Sequence, residues 1–397
     1  MKNFRLTEKE MNTLAERIPT PFLVASTDKV AENYQFMREH LPRAGVFYAI
    51  KANPTPAILK RLAKLGAHFD VASAGEMETL HGLGVDGSRM IYANPVKDER
   101  GLTAAVACGV RRFTFDDESE IAKMAQKVPG ADVLVRIQVR NNKALIDLNT
   151  KFGVPPENAI GLLNKAKEAG LNPAGICFHV GSQSLSTAAY EEALLVARKL
   201  FDEAEMQGMH LTDLDIGGGF PVPDAKGLSV DLAAMMENIN RQIDRLFPAT
   251  AVWCEPGRYM CGTAVNLVTS VIGTKKRGET PWYILDEGIY GCFSGIIYDH
   301  WTYPLHCFGK GSKKPSTFGG PSCDGIDVLY REFMAPDLKI GDKVLVTEMG
   351  AYTTVSATRF NGFIIAPTII FEDQPEYKKR QVQMTGADNS CAKEAAI

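Results

Sequence analysis

From residue 22 onward the chain alternates short apolar runs with longer stretches of helical spacing. Apolar runs that end in a polar or glycine-rich cluster fall at 47–51, 68–73, 90–94, 112–116, 133–139, 175–182, 214–219 and 252–255. Between most of them, as at 56–65, 74–83, 156–169 and 189–206, apolar residues recur every three to four positions, the signature of an amphipathic helix. Strands alternating with helices predict parallel βαβ units. Eight such units in roughly 210–230 residues match a closed (β/α)8 barrel in number and length. A doubly wound sheet would show fewer strands and a glycine fingerprint in its first turn, and none stands near Lys51.

The flanks read differently. Residues 1–18 have the pattern of a charged amphipathic helix broken by Pro19 and Pro21, and 22–25 form a short strand. Ser26 or Thr27 can cap a following helix whose apolar stripe is Val30, Tyr34, Met37 and Leu41. After Cys261, strands are expected at 265–272, 282–285, 343–347 and 363–367, joined by turns rich in Gly, Pro and Asp. The expected organisation is an α/β fold: a (β/α)8 TIM-like barrel over 27–262, an all-β domain formed by 1–26 with 263–371, and a loose polar tail at 372–397.

Composition narrows the partners. A net charge of −3 gives no general attraction to nucleic acid or anionic lipid. The first ten residues are too charged for a secretory leader and no apolar run reaches membrane-spanning length, so a cytoplasmic location is expected. The eight cysteines form no C-x2-C pair and read mostly as small buried hydrophobes. His300 and His306 near Cys307 lack companion ligands, so no metal is expected.

The chemistry begins at Lys51, which closes the run Val46-Phe47-Tyr48-Ala49-Ile50. An amine at the end of a buried strand is costly unless it is neutral, paired or covalently used. In a (β/α)8 barrel the active site lies at the C-terminal ends of the strands. Reading the polar residues there in order gives Lys51, Asp70 with Glu76, Asn94, Asp116, Arg136, His179 with Ser182, Gly217-Gly218-Gly219, and Glu255 with Arg258. Singly, each has a plain structural reading: a paired lysine, a flexible turn, a core histidine, a carboxylate paired with Arg258. Together they converge on one rim. Bare backbone N–H groups at Gly217–219 can wrap an anion, and Arg258 adds a bidentate phosphate partner. Glu255 opposite a pyridine nitrogen would keep that ring protonated, and His179 would stack on it. A phosphate cradle, an amine, a carboxylate and a stacking imidazole describe pyridoxal 5'-phosphate chemistry, with Lys51 bonded to the cofactor's aldehyde.

The segments Tyr48-Ala49-Ile50-Lys51-Ala52-Asn53, His179-Val180-Gly181-Ser182, Gly217-Gly218-Gly219-Phe220-Pro221, Glu255-Pro256-Gly257-Arg258 and Gly320-Pro321-Ser322-Cys323-Asp324-Gly325 resemble those of the fold-type III, alanine-racemase-like pyridoxal phosphate enzymes. More narrowly, they resemble the ornithine/diaminopimelate/arginine decarboxylase branch, over about residues 18–370. The resemblance implies that Lys51 holds the cofactor, with Asp70 beside its amine and Arg136 and His179 along the ring. It implies that Ser182, Gly218, Gly219, Arg258 and Tyr352 bind phosphate and that Glu255 meets the ring nitrogen. Cys323 would return a proton to Cα from a loop that enters the neighbouring subunit, making a head-to-tail homodimer with two shared sites.

Tyr298-Asp299 and Asp324 then offer acids for a distal ammonium, whereas diaminopimelate-specific members carry Cys-Glu-Ser at the Cys323 position and basic residues for a distal carboxylate. The implied activity is decarboxylation of L-lysine or L-ornithine to cadaverine or putrescine, a step of polyamine biosynthesis. Diaminopimelate or arginine decarboxylation, racemisation, and a non-catalytic antizyme-inhibitor-like role are the alternatives. Presence of Lys51, Asp70, Arg136, Cys323 and Asp324 speaks against the last. Ala44-Gly45-Val46 and Pro54, near Lys51 in sequence, are expected to set the length of the substrate pocket.

Overall fold

The computed structural model describes residues 2–139, 149–222, 230–381 and 383. Its chain divides into two compact units, Ala31–Cys261 and Met1–Val30 with Gly262–Ile397.

The chain opens with α1 (Glu8–Ala15), β1 (Phe22–Ala25) and α2 (Thr27–His40). Eight strands follow: β2 (Ala44–Ala49), β3 (His68–Val71), β4 (Met90–Tyr92), β5 (Arg112–Phe115), β6 (Asp132–Ile137), β7 (Asn172–Phe178), β8 (Asp213–Asp215) and β9 (Ala251–Cys254). Between them run α3 (Pro56–Lys64), α4 (Ala74–Gly82), α5 (Glu99–Cys108), α6 (Glu118–Lys127), α7 (Pro156–Glu168), α8 (Thr187–Met206) and α9 (Leu232–Leu246). The strands close into a barrel, each parallel to its neighbours, with Val46 of β2 opposite Cys254 of β9. Ile91, Leu134, Cys177 and Trp253 pack together in its core, so the barrel is filled and not a pore. Capping is local and legible. Ser73, Asp98, Asp117 and Asp231 each accept a backbone N–H at the start of a helix, which satisfies donors that the helix itself leaves unpaired.

The strands stop earlier than their apolar runs suggest. β2 ends at Ala49, and Ile50–Ala52 turn as a 3-10 helix, so Lys51 stands beyond the ladder. β7 ends at Phe178 and β8 at Asp215. Gly181, Gly217 and Gly219 adopt φ of 92°, 65° and 103°, which an extended strand cannot contain. Ala44, Gly45 and Val46 begin β2, roughly 14–20 Å of chain before Lys51. They lie toward the barrel's other end and Pro54 alone of that group follows the lysine, so sequence proximity was a poor guide to pocket length.

After α10 (Arg258–Cys261), the second unit is built on β10 (Val265–Arg277) and β11 (Thr280–Leu285), followed by α11 (Gly295–Tyr298). Then come β12 (Leu305–Cys307), β13 (Lys314–Gly319), β14 (Val328–Ala335), β15 (Lys343–Val346) and β16 (Thr368–Ile370). The sheet order is β12-β15-β10-β11-β13-β14, and β1 pairs antiparallel with β10 and parallel with β16. Phe22, Val24, Val268, Leu345 and Phe371 form its buried core.

Four expectations change here. The N-terminal helix spans only Glu8–Ala15, because a Thr7–Glu10 capping box starts it. Before that box the chain is extended, held by Leu6 N–H on Asn266 Oδ1 at 2.8 Å and by Asn266 Nδ2 on the Phe4 carbonyl at 2.9 Å. No strand forms at 363–367; β16 takes the neighbouring residues. β12, β13 and β14 were not expected, since Lys314, Pro315, Arg331 and Glu332 interrupt their apolar alternation. The segment read as a loose tail begins packed, with helical turns at 375–381. Glu376 pairs with Arg17 at 2.8 Å, Arg380 bonds Glu10, and Tyr377 donates to Asp28 at 2.6 Å. These partners lie more than 300 residues away in sequence, out of reach of a local pattern. Residues 384–397 lie outside the described residues. Among the described residues no helix is long and apolar enough to cross a membrane.

Candidate active site

The C-terminal ends of the barrel strands bring together most of the predicted rim. Lys51 Nζ donates to Asp70 Oδ2 at 2.7 Å, with Asp70 almost wholly buried and the lysine stem half exposed. Glu76, at the start of α4, accepts the Ala72 N–H at 2.6 Å and feels both Asp70 and Lys51. His179 follows β7, and its Nδ1 accepts the Gly181 N–H at 2.9 Å, which leaves the ring proton on Nε2.

The glycine run after β8 is shaped by close approach. A Cβ at Gly217 would lie 2.2 Å from the Phe178 carbonyl oxygen. One at Gly218 would lie 2.6 Å from the Glu255 carbonyl oxygen and 3.0 Å from His179 Nε2, and one at Gly219 2.4 Å from the Gly181 carbonyl oxygen. No side chain fits there. The run is tied down on every side: Gly217 N–H donates to Asp215 Oδ1 at 2.8 Å, and Glu255 N–H donates to the Gly217 carbonyl at 2.8 Å. Tyr190 Oη donates to the Gly218 carbonyl at 2.8 Å, and Ser184 N–H to the Gly219 carbonyl at 2.8 Å. Gln183, at φ 54°, bonds both polar groups of Val222, so the Ser182 turn and the glycine run are one stitched surface. Arg258, buried, opens α10 after Glu255.

Charge is finely balanced. Burial, helped by the Arg136 and Lys51 charges, pushes His179 well below its ordinary pKa, so the imidazole is neutral. Burial raises Asp215 to about 7 and holds Glu255 well above the ordinary carboxylate range, with Asp215 and Asp70 as its acidic neighbours. Glu76 rises to about 7 from burial and, in smaller part, from Asp70. Asp70 Oδ1, Arg136 Nη2 and Glu255 Oε1 are buried without a hydrogen-bond partner among the described residues. Buried polar atoms are nearly always satisfied. These three, together with a glycine run that excludes any Cβ, fit a ligand bearing an anionic end, a polar ring and a group for the lysine amine. Pyridoxal phosphate has that outline.

Two rim candidates serve structure instead. Asn94 Nδ2 donates to the Ala72 carbonyl at 3.3 Å, and Asp116 Oδ2 accepts the Gly153 N–H at 2.7 Å, each pinning a loop.

In the β unit, Cys323 is exposed and its N–H donates to Asn361 Oδ1 at 3.1 Å. Asp324 Oδ2 accepts from Tyr290 Oη at 2.5 Å, which lowers the Asp324 pKa, and the Tyr290 ring stacks on Phe360 with centroids 4.1 Å apart. Tyr298 ends α11 with its side chain largely exposed, and Asp299 follows it. Tyr352 holds φ of 57°, a left-handed conformation that a bulky residue adopts only when its surroundings enforce it. Among the described residues no group of three His, Cys, Asp or Glu side chains is arranged to hold a metal ion.

Sequence reasoning missed Asp215, Tyr190, Gln183, Tyr290 and Asn361. Asp215 had a signal, an acid inside an apolar strand directly before a glycine run. The others are ordinary polar residues whose partners are distant in sequence.

Comparison with known proteins agrees with this geometry. A family model described as pyridoxal-dependent decarboxylase, pyridoxal binding domain, matches residues 27–262. A lysine/ornithine decarboxylase of Selenomonas ruminantium is 82% identical over 397 residues, covering 100% of both chains. A crystal structure of SrLDC in complex with PLP and cadaverine superposes with a TM-score of 0.93 at 82% identity, covering 96% of this chain and 98% of that one. A lysine/ornithine decarboxylase from Vibrio vulnificus complexed with putrescine gives a TM-score of 0.87 at 34% identity, over 93% of this chain and 100% of that one.

Proposed function

The chain belongs to the pyridoxal-dependent decarboxylases, and from that membership we propose that it converts L-lysine and L-ornithine to cadaverine and putrescine. The observation that carries the substrate reading is the 82% identity, end to end, to an enzyme of that name. The acidic pair Asp299 and Asp324 supports it. The Tyr290 hydroxyl and the Ile326 N–H both favour the charged form of Asp324, and a carboxylate held ionised suits a distal ammonium rather than a carboxylate or a neutral chain end.

The residues take these roles. Lys51 holds the cofactor covalently through Nζ, and Asp70 fixes the direction of that amine. Gly218 and Gly219, with Ser182, Arg258 and Tyr352, would receive the phosphate through N–H, hydroxyl and guanidinium donors, and Gly217, whose N–H is taken by Asp215, would supply the turn that presents them. His179, neutral, would stack on the ring, with Arg136 along its edge and Glu255 at its nitrogen. The bound cofactor supplies an electron sink for the pair released when the Cα–carboxylate bond breaks. Cys323 returns a proton to Cα. Tyr298, Asp299 and Asp324 bind the far end of the substrate.

We further propose a homodimer in which the Cys323–Asp324 turn of one copy serves the site of the other. Around that turn Ile326, Phe360, Phe363 and Ile364 expose apolar side chains, as does Tyr298, a grouping that marks an interaction surface. We place the enzyme in the cytoplasm. Its seven described cysteines are all unpaired, the habit of a reducing compartment.

Assaying CO2 and amine release from L-lysine, L-ornithine, L-arginine and diaminopimelate tests the substrate reading. Turnover of both lysine and ornithine is expected. One methylene separates them, which a pocket distinguishes by only about 1–3 kcal/mol. Turnover confined to arginine or diaminopimelate would overturn it.

A further inference from the structure

The turn that carries Cys323 is fixed at its base and at its tip. At the base, buried Asp327 accepts the Ile289 N–H on Oδ1 and the Ser322 N–H on Oδ2, each at 3.0 Å. The Gly320 N–H donates to the Asp327 carbonyl, also at 3.0 Å. A Cβ at Gly288 or Gly320 would lie 2.5 Å or 2.2 Å from Asp327 Oδ1, so two glycines make room for this carboxylate. The tip is held from a different segment. Cys323 N–H donates to Asn361 Oδ1 at 3.1 Å, a residue 38 positions further along the chain.

Asn361 is costly where it stands. It adopts φ 54° and ψ 14° in the short turn Phe360–Gly362, a left-handed conformation that burdens any residue with a Cβ. Asparagine bears it better than most, and glycine would bear it freely but has no side chain to offer. Strain of this kind persists only where its surroundings enforce it, and here they do. The Phe360 ring lies on Tyr290, with centroids 4.1 Å apart and planes at 27°. Phe360 N–H donates to Thr358 Oγ1 at 3.3 Å, and Thr358 N–H donates to the Tyr290 carbonyl at 2.7 Å. Tyr290 thus bears the segment that presents Asn361, while its hydroxyl holds Asp324 at 2.5 Å.

We infer that Asn361 is a positioning residue for proton return: its side-chain carbonyl fixes the Cys323 backbone, and with it the direction of the thiol. It acts through Cys323, and the inference rests on the reading that Cys323 returns the proton to Cα. Position matters because a displacement of about 1 Å can cost a hundredfold in rate. A proton that misses Cα can add instead to the former aldehyde carbon of the cofactor. Each such failure converts one lysine and one pyridoxal phosphate to CO2, an aminoaldehyde and pyridoxamine phosphate, with no other oxidant or reductant. The share of aldehyde among the products therefore reports where the proton goes.

Two measurements on the full-length holoenzyme test this: amide hydrogen exchange at Cys323 without substrate, and the ratio of aminoaldehyde to cadaverine formed from L-lysine. Asn361→Gly keeps a backbone suited to the left-handed turn and removes the acceptor; Asn361→Asp keeps the acceptor. In Asn361→Gly the Cys323 amide should exchange at least about threefold faster, the worth of one hydrogen bond, and the aldehyde share should rise by a similar factor. Asn361→Asp should stay near the wild type in both. Unchanged exchange in Asn361→Gly would overturn the inference, as would faster exchange with an unchanged product ratio. So would Asn361→Asp behaving like the glycine variant. Cys323→Ala tests the underlying reading apart from this one. If it leaves the aldehyde share unchanged, another group returns the proton and both fall; if it raises the share while Asn361→Gly does not, the reading of Cys323 stands and the role of Asn361 falls.

Discussion

At the scale of single residues, Lys51 and Asp70 make the strongest claim because Asp70, almost wholly buried, is not stable as a carboxylate in its place without the lysine or a ligand. A carboxylate this buried needs a cation, and the lysine supplies it at 2.7 Å. Glu76 beside them gives a sharp pH prediction for the cofactor-free protein. Its pKa rises from 4.5 to about 7, chiefly by burial. The folded state therefore holds a proton that the unfolded state has already lost. Stability contributed by this group is full below pH 4.5 and falls as pH rises through 7, by up to about 3 kcal/mol. Glu76→Gln should remove that decline, so melting temperature against pH should be flatter between 4.5 and 7 than in the wild type; parallel curves would refute it. That Lys51, His179 and Glu255 stand at the ends of barrel strands was legible in the sequence because each sits in a distinctive local string. Tyr290 and Asn361 were not legible, since what gives them meaning is a hydrogen bond to Asp324 or Cys323 more than 30 residues away.

At the scale of elements, the barrel rhythm was readable because βα alternation is a local pattern repeated eight times. Strand ends were read less well: an apolar run does not show where its ladder stops, and here turns and left-handed glycines decide it. The β unit was harder again. β13 and β14 pair across polar residues, and their partners are set by register rather than by any periodicity. The glycine cradle yields a prediction at this scale. Gly219→Ala puts a Cβ 2.4 Å from the Gly181 carbonyl oxygen at φ 103°, a backbone strain of about 1–3 kcal/mol. We expect pyridoxal phosphate affinity to fall at least tenfold on absorbance titration, with the fold retained by circular dichroism. Wild-type affinity would show that the cradle does not hold the phosphate. Tyr290→Phe tests the other cluster. Losing its hydroxyl from Asp324 should raise KM for lysine several-fold and move kcat little, the effect of one hydrogen bond to a charged group. A fall confined to kcat would contradict the substrate-binding role.

At the scale of the whole molecule, the account requires two copies. The residues proposed for the cofactor lie mainly on the barrel unit, and Cys323 and Asp324 lie on the other. In the proposed dimer, Lys51→Ala and Cys323→Ala would each abolish one half of a shared site. Mixed after dissociation and reassociation, the two inactive variants should recover about a quarter of wild-type activity, because random pairing gives half hybrids with one intact site each. No recovery would mean that each copy completes its own site.

The central claim is that one amine of this barrel carries the cofactor, and borohydride reduction of the holoenzyme followed by peptide mass spectrometry addresses it directly. The account predicts a pyridoxyl group on Lys51 in stoichiometric yield, and none on the buried Lys97 or any other lysine. A modified lysine elsewhere, or an unmodified Lys51 in protein that still releases CO2 from lysine, would contradict it.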